Sequence, residues 1–86
     1  MIRVEFYEGA RQLAGVAHVD VEAVTLGDAL AAAARAHPAL AGRVVTGRTL
    51  APHWRASLNG RQFVDDPQTP LAAGDAVVLV SALAGG

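Results

Sequence analysis

The chain lacks two residue types that carry much of covalent protein chemistry, since its 86 residues include no cysteine and no lysine. Without a thiol it cannot form a disulfide, a thiolate zinc site, an iron–sulfur cluster, a cysteine nucleophile or a persulfide of its own. Without lysine it has no side-chain amine for a Schiff base or for an isopeptide bond onto itself. Chemistry carried by these side chains is therefore excluded.

Net charge and long apolar runs are also scarce. The formal net charge is −1, so the sequence predicts neither a basic surface for nucleic acid nor a polybasic membrane patch. The apolar runs at 29–34 and 76–80 are far too short to cross a bilayer, and the N-terminus lacks the apolar stretch of a signal peptide. We expect a cytoplasmic protein without nucleic-acid or membrane partners.

The chain is too small to enclose an enzyme's catalytic cavity, because 86 residues form one domain with a modest core. An apolar content of 52% indicates that this domain folds. The three histidines (His18, His37 and His53) have no metal-ligand spacing, and Ser57 and Ser81 have no His–Asp context for a hydrolase triad. We therefore predict no intrinsic catalytic residue, no metal site and no bound cofactor.

Apolar and polar residues alternate with a period of two at 2–8 and 16–23, which predicts two strands joined by a helical turn or loop. Thr25 and Asp28 predict the start of a helix, because a hydroxyl caps free amides and a carboxylate favours the helix dipole. Pro38 predicts its end.

After a loop at 45–53, three further strands are predicted at 54–58, 61–64 and 76–81. Asn59-Gly60 is a strong hairpin signal between the first two of them. The order ββαβββ indicates an α+β domain, a mixed sheet with one main helix packed on one face. If the last strand pairs in parallel with the first, the fold is the ubiquitin-like β-grasp. We expect this domain to span 1–82 and to be followed by a flexible tail, 83–86.

The last predicted strand is apolar on both faces. Val77 and Leu79 are expected to face the helix, so the alternate residues must lie on the opposite face, which in such a sheet normally meets water. An exposed apolar patch there would mark a partner surface, although a covering loop or simple strand propensity would explain the same pattern. The predicted members of the patch are Tyr7, Phe63, Val78 and Val80.

The sequence ends in Gly85-Gly86. A terminal carboxylate that must enter a narrow channel in a partner benefits from residues without Cβ, because glycine adopts whatever backbone angles the channel imposes. The carbonyl of such a residue is also open to attack once it is activated. We therefore predict that the chemistry of this chain takes place at Gly86, carried on the arm Leu83-Ala84-Gly85.

Several segments together resemble the MoaD/ThiS family of ubiquitin-like sulfur carriers, most closely its molybdopterin synthase branch. The resemblance covers nearly the whole chain, and its most specific part is the Thr-Pro-Leu…Gly-Asp element about ten residues before the terminal Gly-Gly. The matching segments are Met1-Ile-Arg-Val-x-Phe-Tyr7, Arg11-Gln-Leu-Ala-Gly15, Thr25-Leu-Gly-Asp28, His37-Pro-x-Leu40, Leu58-Asn-Gly60, Thr69-Pro-Leu-x-x-Gly-Asp75 and Val77–Gly86.

This resemblance implies a carrier cycle. An E1-like enzyme would use ATP to adenylate the Gly86 carboxylate, and a cysteine desulfurase or a rhodanese-type donor would supply sulfur to form a thiocarboxylate. The large subunit of molybdopterin synthase would then accept the tail and pass the sulfur to precursor Z. The resemblance also implies that Tyr7, Phe63, Val78 and Val80 face partner proteins.

Some features depart from the molybdopterin branch and leave the pathway open. Ser81-Ala82 stands where that branch often has Pro-Pro, and the loop 45–53 is longer than in compact members. Carriers for thiamine thiazole, cysteine, tRNA thiolation or a secondary metabolite remain alternatives, as do a protein modifier attached through Gly86 and a binding module with an inert tail. The sequence leaves the roles of the loop 45–53 and of Trp54 open, as well as the partner stoichiometry.

Overall fold

The computed structural model describes residues 1–82, so the predicted tail 83–86 lies outside the described residues. Their elements, in chain order, are β1 (Ile2–Phe6), α1 (Gly9–Ala14), β2 (His18–Val21), α2 (Leu26–Ala36), a 3₁₀ turn (Pro38–Leu40), β3 (Val45–Thr46), β4 (Thr49–Leu50), β5 (Trp54–Leu58), β6 (Gln62–Val64) and β7 (Ala76–Ser81).

Five strands form one mixed sheet in the order β2-β1-β7-β5-β6. The last strand, β7, lies at its centre, parallel to β1 and antiparallel to β5. The predicted parallel pairing of the first and last strands is confirmed by the register, in which Val4 lies opposite Val77. The predicted ββαβββ order is thus the order of the main elements.

The predicted loop 45–53 was only partly right, because β3 and β4 form a small antiparallel hairpin within it. Its turn contains Gly47 with φ 64°, a left-handed conformation that glycine adopts without a Cβ clash. Strands of two residues are too short to leave a periodic pattern, so alternation along the sequence could not reveal them.

Helix α2 begins as the sequence predicts. The hydroxyl oxygen of Thr25 accepts a hydrogen bond of 3.2 Å from the amide of Asp28, which satisfies one of the free donors of the first turn. One face of the helix, including Leu26, Leu30 and Ala33, is fully buried against the sheet. The backbone N–H of His37 donates the last helical bond, and Pro38 follows directly.

The core lies between α2 and the inner face of the sheet. Both Val77 and Leu79 are fully buried, so the predicted inner face of β7 is confirmed. Burial of an aliphatic side chain of this size stabilises the fold by about 1.5–3 kcal/mol. The other core residues on the strands alternate with exposed ones, as in Ile2, Val4 and Phe6 of β1.

An exposed ion pair fixes the β3–β4 hairpin to the start of α2. The Arg48 guanidinium donates to Asp28 Oδ1 at 2.6 Å, and this hydrogen bond lowers the pKa of the Asp28 carboxyl. Gly27 makes the approach possible, because a Cβ there would lie 2.9 Å from Arg48 Nη2 and 3.0 Å from Cβ of Pro67.

Among residues 1–82, no helix combines the length and apolarity required to cross a membrane.

Candidate functional site

The outer face of the sheet, opposite α2, carries two of the predicted site residues at its centre. Val78 and Val80 of β7 are half-buried, whereas their neighbours Val77 and Leu79 are fully buried on the inner face. The described residues therefore leave the outer face of the central strand partly open to solvent.

The strand register places the two aromatic residues on either side of these valines. Tyr7 is 51% exposed and follows the last paired residue of β1, which puts it beside Val80. Phe63 of β6 is 65% exposed and lies opposite Ser57, which in turn lies opposite Val78. All four predicted patch residues thus lie on one side of the sheet, but Ser57 separates Phe63 from the valines.

Charged side chains lie among these apolar ones. The guanidinium carbon of Arg55 lies 5.7 Å from the centre of the Phe63 ring, within the range of a cation–π interaction. Glu5 lies directly opposite Val78 on the neighbouring strand. A partner for this face must therefore match an apolar centre flanked by charges of both signs.

One end of the sheet, which we call the tail end, contains the last described residue, Ala82. Because β1 and β7 are parallel, the C-terminal residues of both lie at this end. The tail end comprises Tyr7–Gly9, Ala51–Trp54 and Ser81–Ala82. The amide of Ala82 donates a hydrogen bond of 2.7 Å to the carbonyl of His53, which holds Ala82 against the residue that precedes β5. The predicted reactive residue and its arm, Leu83-Ala84-Gly85-Gly86, lie outside the described residues.

Trp54 is half-buried at the tail end and packs against the core. A Cβ on Gly9 would lie 3.5 Å from Cη2 of its ring, so the indole contacts the β1–α1 turn closely. Trp54 also forms part of the wall of an open groove of about 360 Å³, together with residues of α2 such as Leu30. The sequence left the role of this tryptophan open, and the structure places it at the edge of the core.

The tail end contains two backbone features that the sequence analysis missed. Glu8 has φ 50° and ψ −119°, and His53 has φ 73°. Both values lie in regions that favour glycine. Pro52 before His53 is a turn signal that a closer inspection of the sequence would have found, whereas no sequence signal precedes Glu8.

The opposite end of the sheet, which we call the motif end, brings together two of the segments that carry the family resemblance. Asn59 donates from Nδ2 to Asp75 Oδ1 at 3.0 Å, and its Oδ1 accepts from the amide of Ala76 at 2.8 Å. Asp75 Oδ2 accepts from the amide of Ala72 at 2.8 Å. The hydrogen bond from the amide of Ala72 and, to a smaller extent, that from the Asn59 side chain lower the pKa of Asp75. The most specific motif of the sequence is thus structural.

The described residues do not group metal ligands together. Within residues 1–82, no three histidine, aspartate or glutamate side chains are placed to hold a metal ion.

A family model and several solved structures relate this chain to known proteins. The model of the ThiS family matches residues 4–86. SAMP1, the small archaeal modifier protein 1 of Haloferax volcanii, is 33% identical, with a TM-score of 0.80 over 99% of this chain and 98% of that one. No curated protein sequence gives a significant match.

Two more distant structures share the fold. A chain of the BexX/CysO complex of Amycolatopsis orientalis is 18% identical, with a TM-score of 0.80 and full coverage of both chains. A protein of Pyrococcus furiosus assigned as molybdopterin converting factor, subunit 1, is 22% identical, with a TM-score of 0.74 over 93% of this chain and 94% of that one. Together with SAMP1, these structures confirm the predicted ubiquitin-like β-grasp fold.

Proposed function

The chain belongs to the ThiS family, and we propose that it carries sulfur as a thiocarboxylate on Gly86. The observation that supports this most is the extent of the family match, which runs from residue 4 through the terminal Gly85-Gly86. The fold is consistent with this proposal, because the residues that carry the proposed chemistry follow closely after β7, the central strand of the sheet.

The chemistry requires an activating partner, because a carboxylate is a poor electrophile at neutral pH. The Gly86 carboxylate oxygen attacks the α-phosphorus of ATP, pyrophosphate leaves, and an acyl-adenylate forms on the E1-like enzyme. A persulfide from a cysteine desulfurase or a rhodanese-type donor then attacks the carbonyl carbon and AMP leaves. A thiol of a partner enzyme then attacks the cysteine sulfur of the resulting acyl disulfide. A disulfide forms between these two sulfurs, the bond to the acyl sulfur breaks, and the thiocarboxylate is released. The attacking thiol is oxidised and the transferred sulfur is reduced.

In this scheme the chain is the substrate of its partners and has no catalytic residue of its own. Glycine at the last two positions leaves the carbonyl carbon unhindered on both faces. The absence of cysteine has a further consequence, since no thiol of the domain can capture the acyl-adenylate by forming an internal thioester.

The proposed pathway is molybdopterin synthesis, in which the large synthase subunit accepts the tail. This assignment rests on the motifs of the sequence, chiefly Thr69-Pro70-Leu71 and Gly74-Asp75. The likeness to the Pyrococcus furiosus protein, at 22% identity, concerns the fold and adds nothing to the pathway. Delivery of sulfur to thiazole, cysteine, tRNA or a secondary metabolite uses the same tail chemistry.

A second function is protein modification, in which Gly86 forms an amide with a lysine of another protein. It is favoured by one observation, the 33% identity to a small archaeal modifier protein over nearly the full length of both chains. Because this chain has no lysine, it cannot form polymers through its own side chains. The two functions share the first activation step and are compatible.

For the docking of partners we propose the outer face of the sheet. It presents the two valines of β7 between the exposed aromatic residues Tyr7 and Phe63. A surface with aromatic side chains around an apolar centre is typical of protein interfaces.

The intact mass of the protein tests this proposal. After incubation with an E1-like enzyme from the same organism, ATP and a sulfur donor, we expect a mass increase equal to the exchange of one oxygen for one sulfur. Omission of ATP is the control and should abolish the shift. No shift with any E1-like enzyme of that organism would contradict the sulfur-carrier function, whereas lysine-linked conjugates in lysate would establish modification.

A further inference from the structure

Three residues other than glycine have positive φ within residues 1–82: Glu8, His53 and Asn59. The amide of Ala10 donates to the carbonyl of Tyr7 at 3.1 Å, so Glu8 occupies the second position of a four-residue turn. Its φ of 50° and ψ of −119° are those of a type II′ turn, in which this position is normally glycine.

The second turn is a type II arrangement. The amide of Trp54 donates to the carbonyl of Ala51 at 3.2 Å, and His53, with φ 73°, occupies the third position after Pro52. This position also requires positive φ and normally holds glycine or asparagine. A histidine there, like a glutamate in the first turn, stores backbone strain that glycine would not.

The side chain of Asn59 accounts for its own position. It makes two hydrogen bonds, to Asp75 and to the amide of Ala76. Glu8 and His53 differ in this respect, because within residues 1–82 neither side chain makes a hydrogen bond or an ion pair. Glu8 precedes α1, but its carboxylate caps no amide of that helix. Neither side chain therefore makes a polar interaction within residues 1–82 that would offset the backbone strain at its position.

Both strained residues are exposed, and both lie at the tail end. Strands β1 and β5 lie on either side of β7. Glu8 follows the end of β1, and His53 precedes the start of β5. With one strand between them, the two positions are roughly 10 Å apart, twice the spacing of neighbouring strands. Glu8 lies level with Ser81 in the strand register, and His53 accepts a hydrogen bond from Ala82, so an enzyme that binds the residues after Ala82 is expected to approach both.

We propose that Glu8 and His53 are positioning residues that contact the rim of the channel in the activating enzyme, and that their strained turns are retained to aim these side chains. This inference rests on the proposed function, since it assumes that an enzyme encloses the tail. The Glu8 carboxylate forms no ion pair within residues 1–82, so the rim should present a basic residue to it.

Pairs of variants separate the side chain from the backbone. Glu8→Gly removes both the carboxylate and the strain, whereas Glu8→Ala removes the carboxylate and keeps the strain. The same pair is available at His53. The measurements are thermal unfolding of the free protein and the kcat and KM of ATP–pyrophosphate exchange by the E1-like enzyme of the same organism, with this protein as the varied substrate.

We expect each glycine variant to raise the melting temperature by about 2–5 °C, because relief of strain outweighs the greater freedom of glycine in the unfolded chain. Each alanine variant should leave the melting temperature unchanged or lower it. All four variants should raise KM about threefold without changing kcat, and a double variant should raise it about tenfold, because sites this far apart act additively.

Two controls sharpen the result. Asn59→Gly keeps a residue suited to positive φ but removes two hydrogen bonds, so it should lower the melting temperature and leave KM unchanged. Glu8→Gln should raise KM, whereas Glu22→Gln, which removes an exposed carboxylate near the motif end, should not.

The outcomes are distinguishable. If the unmodified protein is not activated by the enzyme, the proposed function fails and this inference fails with it. If it is activated and all four variants keep its KM, the inference alone is overturned. A KM effect confined to the glycine variants would also overturn it, because the backbone and not the side chain would then be responsible.

Discussion

The two ends of the sheet differ in how their turns are built. At the motif end, Asn59 and Gly60 form a hairpin turn with residues suited to positive φ, and the Asn59 side chain is bonded to Asp75. At the tail end, Glu8 and His53 occupy turn positions suited to glycine, and neither side chain is bonded within residues 1–82. The turn residues suited to their backbone conformation thus lie at the motif end, away from the proposed chemistry, and the strained ones lie at the tail end.

The largest expected effect comes from removing the chain end. Deletion of Gly85-Gly86 should abolish sulfur loading, because no carboxylate can then reach the adenylating site. The melting temperature should change by less than about 1 °C, since the deletion leaves the core of residues 1–82 intact. Intact mass and thermal unfolding measure the two quantities. Full loading of the truncated chain would place the chemistry elsewhere.

A charge on the outer face should have the next largest effect. Val80→Asp introduces a carboxylate beside Tyr7, at the centre of the proposed docking surface, and should lower kcat/KM for tail activation at least tenfold, which is about 1.4 kcal/mol. Val24→Asp is the matched control, because Val24 is 70% exposed and lies beyond β2, towards the motif end. An equal loss in both variants would argue against a specific surface.

The motif end should respond in stability and not in activity. Asn59→Gly keeps the turn but removes two side-chain hydrogen bonds, which should lower the free energy of unfolding by about 1–2 kcal/mol. Urea unfolding measures this change directly. A variant as stable as the unmodified protein would show that the network does not stabilise the motif end.

The smallest effect concerns pH. Asp75, hydrogen-bonded by Ala72 and Asn59, and Asp28, hydrogen-bonded by Arg48, both have pKa values below their ordinary value of 3.8. Protonation therefore opposes folding: the stability they add is present above pH 3.8 and is lost as the pH falls through the lowered values. As the pH falls from 5, the free energy of unfolding should decrease less steeply in Asp75→Asn than in Asp65→Asn. The Asp65 carboxylate makes no hydrogen bond within residues 1–82 and serves as the control. Equal slopes would contradict this.

The elements with a regular pattern were predictable from sequence. The alternation in β1 and the Thr25 cap of α2 identified a strand and a helix whose buried faces the structure confirms. The apolar pattern of β7 predicted that Val77 and Leu79 face the helix, which their burial confirms, whereas the position of β7 at the centre of the sheet was not predicted.

The features that sequence reasoning missed depend on long-range contacts or on single backbone angles. The β3–β4 hairpin is held by Arg48, which reaches a carboxylate 20 positions earlier, and no local pattern predicts such a pair. The strained conformation of Glu8 follows from how the chain must turn after β1. Within the candidate site, the sequence placed Tyr7 and the valines on one face, but it could not predict that Ser57 separates them from Phe63.

The central position of β7 has a consequence for how the protein is made. This strand pairs with β1 across nearly the whole length of the sequence and also forms the link to β5. Without β7, the β1–β2 and β5–β6 hairpins would have no strand between them, so we expect the five-stranded sheet to form only after the last strand has emerged from the ribosome. Contacts so distant along the sequence also slow folding. The terminal glycines follow directly after the strand that completes the sheet, so a chain that stops before β7 would lack both the finished sheet and the residues proposed for activation.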